Sequence, residues 1–125
     1  MATYASGLFN VYKNFDNEEL QITLANIVYT PRFKLGTEKW DFLIGKNIEE
    51  SVLHLTNCIM GGPGAGKTYV NGGANFDAMA QDLGNGNMNA SARTIGTVGN
   101  RIETTISGVA GYCAWQSGTL KGGTD

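Results

Sequence analysis

At 125 residues the chain has room for one domain, and its formal charge of −2 comes with only 16% charged residues, well below the roughly one quarter usual in globular domains. So thin a charge density, with no basic run, excludes nucleic acid as the main partner, because phosphate binding is driven by dense Lys and Arg. No apolar run approaches the roughly 20 residues of a membrane helix, and Met1 to Gly7 lacks the charged start and apolar centre of a secretory signal, so the expectation is synthesis in a cytoplasm with Cys58 and Cys113 as buried thiols.

In chain order, Leu8 to Phe15 mixes aromatic and β-branched residues with polar ones and predicts a first strand, after a flexible arm over residues 1–7. Leu20, Ile22, Leu24, Asn26 and Val28 alternate as a strand does. Leu20, Leu24, Ile27 and Val28 also fit one helix face, with Asp16 and Glu19 as a capping box. The β-favouring run Ile27, Val28, Tyr29, Thr30 decides for strand, and Pro31 is expected to end its pairing. Trp40, Phe42 and Ile44 alternate up to Gly45, and Val52, Leu53, Leu55, Ile59 and Met60 predict a further strand.

The composition then changes. Of 18 glycines only Gly7, Gly36 and Gly45 precede Gly61, so the second half reads as short elements between turns. Asn71-Gly72 and Asn85-Gly86 are tight-turn signals. Between them Phe76, Met79, Ala80 and Leu83 have helical spacing, with Asn75 or Asp77 to cap the start and Gly84 to end it. Gly84 to Asn100 reads as a long Gly/Asn-rich loop. Ile102, Thr104 and Ile106, then Val109, Gly111, Cys113 and Trp115, predict one or two strands, and residues 118–125 a frayed tail. The expected fold is mainly β: one small antiparallel sandwich or barrel-like domain over residues 1–125, with one short helix and long loops.

Gly61-Gly62-Pro63-Gly64-Ala65-Gly66-Lys67-Thr68 satisfies the phosphate-loop pattern G-x-x-x-x-G-K-[ST]. In a working phosphate loop the glycine amides wrap the phosphates, the lysine (here Lys67) neutralises charge and the hydroxyl (here Thr68) holds Mg²⁺. Gly61 and Gly66 would shape the turn. That loop must open a helix, whose N-terminus completes the anion site. Here Thr68-Tyr69-Val70 runs into Asn71-Gly72-Gly73, which stops a helix after one turn. Too little chain remains beyond Thr68 for an alternating nucleotide-binding sheet. The expectation is a glycine-rich connection between two strands, with nucleotide binding as the alternative.

Other constellations are sparse. His54 is the lone histidine; it and Cys58 would share a face only on a helix, and no further Cys/His/Asp cluster completes a metal set, so His54 is expected to pack. The carboxylates Glu18-Glu19, Glu49-Glu50 and Asp77/Asp82 have no nucleophile beside them. Neither a cofactor nor an enzyme activity is expected.

Three stretches resemble a pattern in small bacteriophage virion structural proteins of the head decoration or cement kind: Leu20-Gln-Ile-Thr-Leu-Ala-Asn-Ile-Val-Tyr-Thr-Pro31, Asp41-Phe42-Leu43 and Gly66-Lys67-Thr68. In those proteins a strand ending in Tyr-Thr-Pro leads to a His/Asp-Phe-Leu element, and a Gly-Lys-Thr strand start and a Gly/Asn-rich β region follow. The chain departs from the pattern over Phe33 to Lys39 and through its second half. The resemblance implies a virion subunit, assembled in a host cytoplasm, that contacts copies of itself and another virion protein. A subunit of another filament or surface layer is the alternative. The expected contact segments are Ala2 to Leu8, Gly61 to Thr68 and Gly84 to Asn100.

Overall fold

The computed structural model describes residues 1–125. Eight strands form two four-stranded sheets: β1 (Ser6–Val11), β2 (Gln21–Leu24), β3 (Ile27–Arg32), β4 (Asp41–Leu43), β5 (Ala78–Gly84), β6 (Asn87–Ala92), β7 (Thr104–Ser107) and β8 (Cys113–Trp115). One helix, α1 (Ile48–Met60), lies between β4 and β5 in the chain, and Thr97–Arg101 forms a 3-10 turn. The first sheet runs β5-β6-β1-β8 and the second β4-β3-β2-β7. Every pairing is antiparallel except β3 with β4. The mainly β, sandwich-like class is as expected.

The two sheets enclose one core. Phe9, Val11, Ile22, Leu24, Tyr29, Phe42, Met88 and Leu120 are fully or almost fully buried in it. Helix α1 packs on β5 and β4, the outer strands of the two sheets, and so closes one side of the sandwich. On the opposite side β7 lies against β8. The inner surface of α1 buries Ser51, Val52, Leu55, Cys58 and Ile59, which recur at the three- and four-residue spacing of a helix face.

The helix sits where a strand was expected. Its boundary signals are strong. Asn47 caps the start, its side chain accepting from the Glu50 amide at 2.9 Å; Glu49 and Glu50 occupy the first turn, where carboxylates oppose the helix dipole. Gly61, in the left-handed conformation at φ 65°, ends it and donates its amide to Asn57 O. Conversely, the helix expected over residues 76–83 is strand β5. Ala78 and Ala80 point in while Met79, Gln81 and Leu83 point out, a period of two that the apolar spacing disguised. Met60 Sδ accepts the Ala80 amide at 3.2 Å, covering the edge of β5.

Other expectations are also corrected. Residues 20–28 form a hairpin, not one strand: Ala25 and Asn26, both with positive φ, make its turn. Pro31 does not end β3; it pairs in parallel with Phe42, past the end of the β2 ladder at Tyr29, where a missing amide is tolerated. Asn85-Gly86 is the expected tight turn, both residues having positive φ. It opens β6, so Gly84 to Asn100 is an ordered strand and 3-10 turn rather than a long loop. Gly72 makes no positive-φ turn; a Cβ there would lie 2.4 Å from the Trp40 ring, so close approach explains that glycine. Finally, neither terminus is free. Thr3 bridges Thr124, Ser6 bridges Lys121 and Glu103 bridges Thr119, while Ala5 and Leu120 are wholly buried.

Candidate functional site

The phosphate-loop string follows a helix instead of opening one. Gly61 closes α1, and no helix follows within residues 62–77. The loop folds on itself. The Gly62 amide donates to Asn57 O at 2.9 Å, the Gly66 amide to Tyr69 O at 2.8 Å, and the Lys67 and Thr68 amides both to Gly64 O at 2.8 Å. Together with Gly61, these are most of the amides that a phosphate would need, and all are engaged internally. Thr68 Oγ1 lies 3.4 Å from Gly64 O, and the buried Tyr69 ring holds the loop through its hydroxyl, which donates to Gly62 O.

Beyond the loop the chain runs along β4. The Leu43 amide donates to Thr68 O at 2.8 Å and the Val70 amide to Asp41 O at 2.9 Å. The resemblance implied a strand beginning at Gly66-Lys67-Thr68. Two isolated bridges form instead at Tyr69, to Phe42 and to Ala65. The connection therefore joins a helix to an extended segment, not two strands.

The helical register does bring His54 and Cys58 onto one buried face, but each has a packing partner. His54 Nδ1 donates to Leu43 O at 2.7 Å, and Cys58 Sγ lies 4.0 Å from Asp41 O. Beside them Arg32 Nε donates to the buried Asp41 Oδ2 at 2.9 Å, pinning β3 to β4. Burial, with a smaller push from Asp41, raises the Cys58 thiol from 9.0 to about 12; burial raises Cys113 from 9.0 to about 12. Both are free, inaccessible thiols, the opposite of the electropositive exposure a reactive cysteine requires.

The acidic pairs hold the backbone. Glu50 accepts from the Lys46 amide, Glu18 from the Phe33 amide and Asp82 from the Gly84 amide. No three His, Cys, Asp or Glu side chains form a metal-holding group.

Two surface features stand out instead. The first is the outer face of the first sheet. The register sets Ser91 of β6 against Ser6 of β1, Asn89 against Leu8 and Asn87 against Asn10; on the far side Met79 and Gln81 of β5 face Ser91 and Asn89. None of these outward positions is charged. Asn10 Nδ2 and Asn87 Oδ1 are hydrogen-bonded at 2.5 Å across the strands, while Leu8, Tyr12 and Leu83 are exposed to 45%, 56% and 49%. The residue types were visible in the sequence, but their convergence on one face required the β5–β6 hairpin, which the expected helix hid.

The second feature is an open cavity of about 470 Å³ between β7 and β8, lined by uncharged residues throughout, among them Tyr12, Ile106, Val109, Cys113 and Trp115. No sequence signal pointed to it, because it arises where the edges of two sheets meet.

No known family model, characterised protein or solved structure matches the chain. No helix is long and apolar enough to cross a membrane.

Proposed function

We propose that the chain is a structural subunit of a self-assembling particle, foremost a bacteriophage virion protein of the decoration or cement kind, acting through non-covalent subunit contacts. One observation supports this reading above others: the outer face of the first sheet carries a regular run of uncharged outward positions, with Leu8, Tyr12, Met79 and Leu83 exposed among Asn, Gln and Ser and with Lys121 beside Ser6 at its border. Proteins that remain alone in solution guard exposed sheets with charge, whereas the centres of protein interfaces are depleted of it. The tethered Gly61–Thr68 connection and the paired termini leave this face as the main contact surface, in place of mobile arms.

The test is assembly against surface charge. Wild-type protein is expected to form discrete oligomers or ordered particles by light scattering and negative-stain microscopy, alone or on a capsid shell. The double variant Leu8→Glu, Asn89→Lys should lose them while keeping its melting temperature, because both side chains point to solvent. A wild-type protein that stays monomeric at millimolar concentration and binds no capsid or filament overturns the reading.

A further inference from the structure

The chain holds two Asn-Gly dipeptides, Asn71-Gly72 and Asn85-Gly86. In such a pair the glycine amide can attack the side-chain carboxamide of the asparagine, because glycine has no Cβ to obstruct the approach. The fold places the two pairs in opposite situations.

Asn71 is exposed, in the irregular segment that leads to β5. Its Oδ1 accepts from the Gly73 amide at 3.0 Å, which folds the carboxamide back over the Gly72 peptide unit. The same bond polarises the Cγ–Oδ1 carbonyl and faces the negative charge that attack at Cγ places on Oδ1. The nucleophile and the leaving group are free as well. Neither the Gly72 amide nor Asn71 Nδ2 has a hydrogen-bond partner in the chain.

Asn85 is held the other way. At φ 53° it is left-handed, a conformation whose ψ lies at about +30 to +60°. There the Gly86 nitrogen stands anti to Asn85 Cβ about the Cα–C bond, whereas ring closure needs the two nearly eclipsed. The turn is also fixed in place. Gly84 faces Asn87 across the hairpin, and Gly86 is buried, its carbonyl accepting from the Val11 amide at 2.8 Å.

We infer that Asn71-Gly72 is a site of self-modification, at which the asparagine converts through a succinimide to an aspartyl or isoaspartyl residue, while Asn85-Gly86 is spared by its turn. The Gly72 nitrogen gives its proton to hydroxide and bonds to Asn71 Cγ. The Gly73 amide holds the oxyanion that results. The Cγ–Nδ2 bond then breaks, and the nitrogen leaves as ammonia with a proton taken from water. A further water opens the ring at either carbonyl, so the net exchange is one water consumed for one ammonia released. The product alters its surroundings. Gly72 packs on Trp40 so closely that a Cβ would lie 2.4 Å from the ring, and Trp40 Nε1 donates to Gly73 O at 3.1 Å. Opening at the main-chain carbonyl routes the backbone through Cβ and Cγ and lengthens it by one carbon. That displaces Gly72 and Gly73 from the indole and sets a new carboxylate beside it. The inference stands apart from the assembly reading and needs no partner.

The test follows purified protein held for days in mildly alkaline buffer, one sample folded and one in urea. Trypsin releases both asparagines on one peptide, Thr68 to Arg93, so fragment-ion masses report both conversions from the same sample. In the folded protein position 71 should convert to a mixture of aspartyl and isoaspartyl forms. Position 85 should lag roughly tenfold or more, since ring closure there waits on opening of the turn. In urea the two rates should converge. In ¹⁵N-labelled folded protein the Trp40 indole signal should move as conversion proceeds while that of Trp115 stays. Asn71→Gln should abolish both the mass change and that movement. An unconverted position 71 in the folded protein, position 85 keeping pace with it, or rates that stay apart in urea overturns the inference.

Discussion

Asn75 does more than any other single side chain to join the elements. It is 1% exposed, and all of its polar groups are engaged. Its Oδ1 accepts from the amides of Asp77 and Ala78 at 3.0 and 3.1 Å. Its Nδ2 donates to Leu24 O at 3.1 Å and to the Tyr29 hydroxyl at 3.2 Å. Its amide reaches Ile59 O at the end of α1, and its carbonyl accepts from Arg93 Nε at 2.8 Å. One residue thereby ties the helix, the β2–β3 hairpin and the start of β5. Asn75→Ala keeps the backbone bonds but takes the acceptor from the buried Ala78 amide and from the Asp77 amide nearer the surface, and a donor from the Leu24 carbonyl and the Tyr29 hydroxyl. Each unsatisfied buried group costs about 1–3 kcal/mol, offset where the backbone relaxes, so a total loss of roughly 2–4 kcal/mol is expected from urea unfolding midpoints at unchanged slope. In sequence, Asn75 already reads as a cap. It performs that hydrogen bonding, but at the start of a strand, because a side chain accepting from the amides two and three residues on suits either continuation.

At the scale of elements, strand β5 and helix α1 exchange the identities their apolar residues imply, and both errors have one physical source. Val52, Leu53, Leu55 and Ile59 are good strand residues, yet the decisive positions are the smaller Ser51 and Cys58, which complete a buried helical stripe with Val52, Leu55 and Ile59. Ala78 and Ala80 are poor strand residues, yet with Ala90 and Ala92 of β6 they make a low inner surface, against which α1 packs. Local preference yields to a tertiary fit that no window of sequence contains. The caps at Asn47 and Gly61 are local signals that the strand reading of Val52 to Met60 passed over. The β7 and β8 strands, the Asn85-Gly86 turn and the mainly β class were legible, since alternation and positive-φ residues are local. The cavity between β7 and β8 was not, because it depends on how the edges of two sheets meet. Helix α1 tests the weight of its caps directly. Asn47→Ala removes the acceptor for the Glu50 amide and should cost about 1 kcal/mol, read as a lower melting temperature. Asn47→Asp should retain the stability, since a carboxylate caps equally well and favours the helix dipole.

Over the whole molecule, closure is achieved late in the chain and sets how stability responds to conditions. The last residues cross from β8 to β7 and back to β1: Leu120 donates its amide to Ile102 O at 3.0 Å, and Lys121 exchanges bonds with Ser6. Leu120 is wholly buried, close enough to β1 that a Cβ on Gly7 would lie 3.1 Å from it. Leu120→Ala should therefore cost roughly 2–5 kcal/mol as a core truncation does, with one cooperative melt rather than a separate loss of the tail.

The same closed core shelters Cys58 and Cys113, which gives the alkaline limit a definite sign. Both thiols are raised from 9.0 to about 12 in the folded chain, and burial also raises the Tyr29 hydroxyl. Below pH 9 folded and unfolded chains hold the same thiol protons and the shift has no effect. Above it the unfolded chain releases protons that the folded chain keeps, so stability falls as pH rises from 9 towards about 12. Unfolding midpoints measured across that window should decline more steeply for the wild type than for the double variant Cys58→Ala, Cys113→Ala. The variant's lower stability at pH 7, from the lost packing, leaves this slope comparison intact. Equal slopes would mean that water reaches both thiols in the folded chain, and hence that the core opens locally beneath α1 and beside β8.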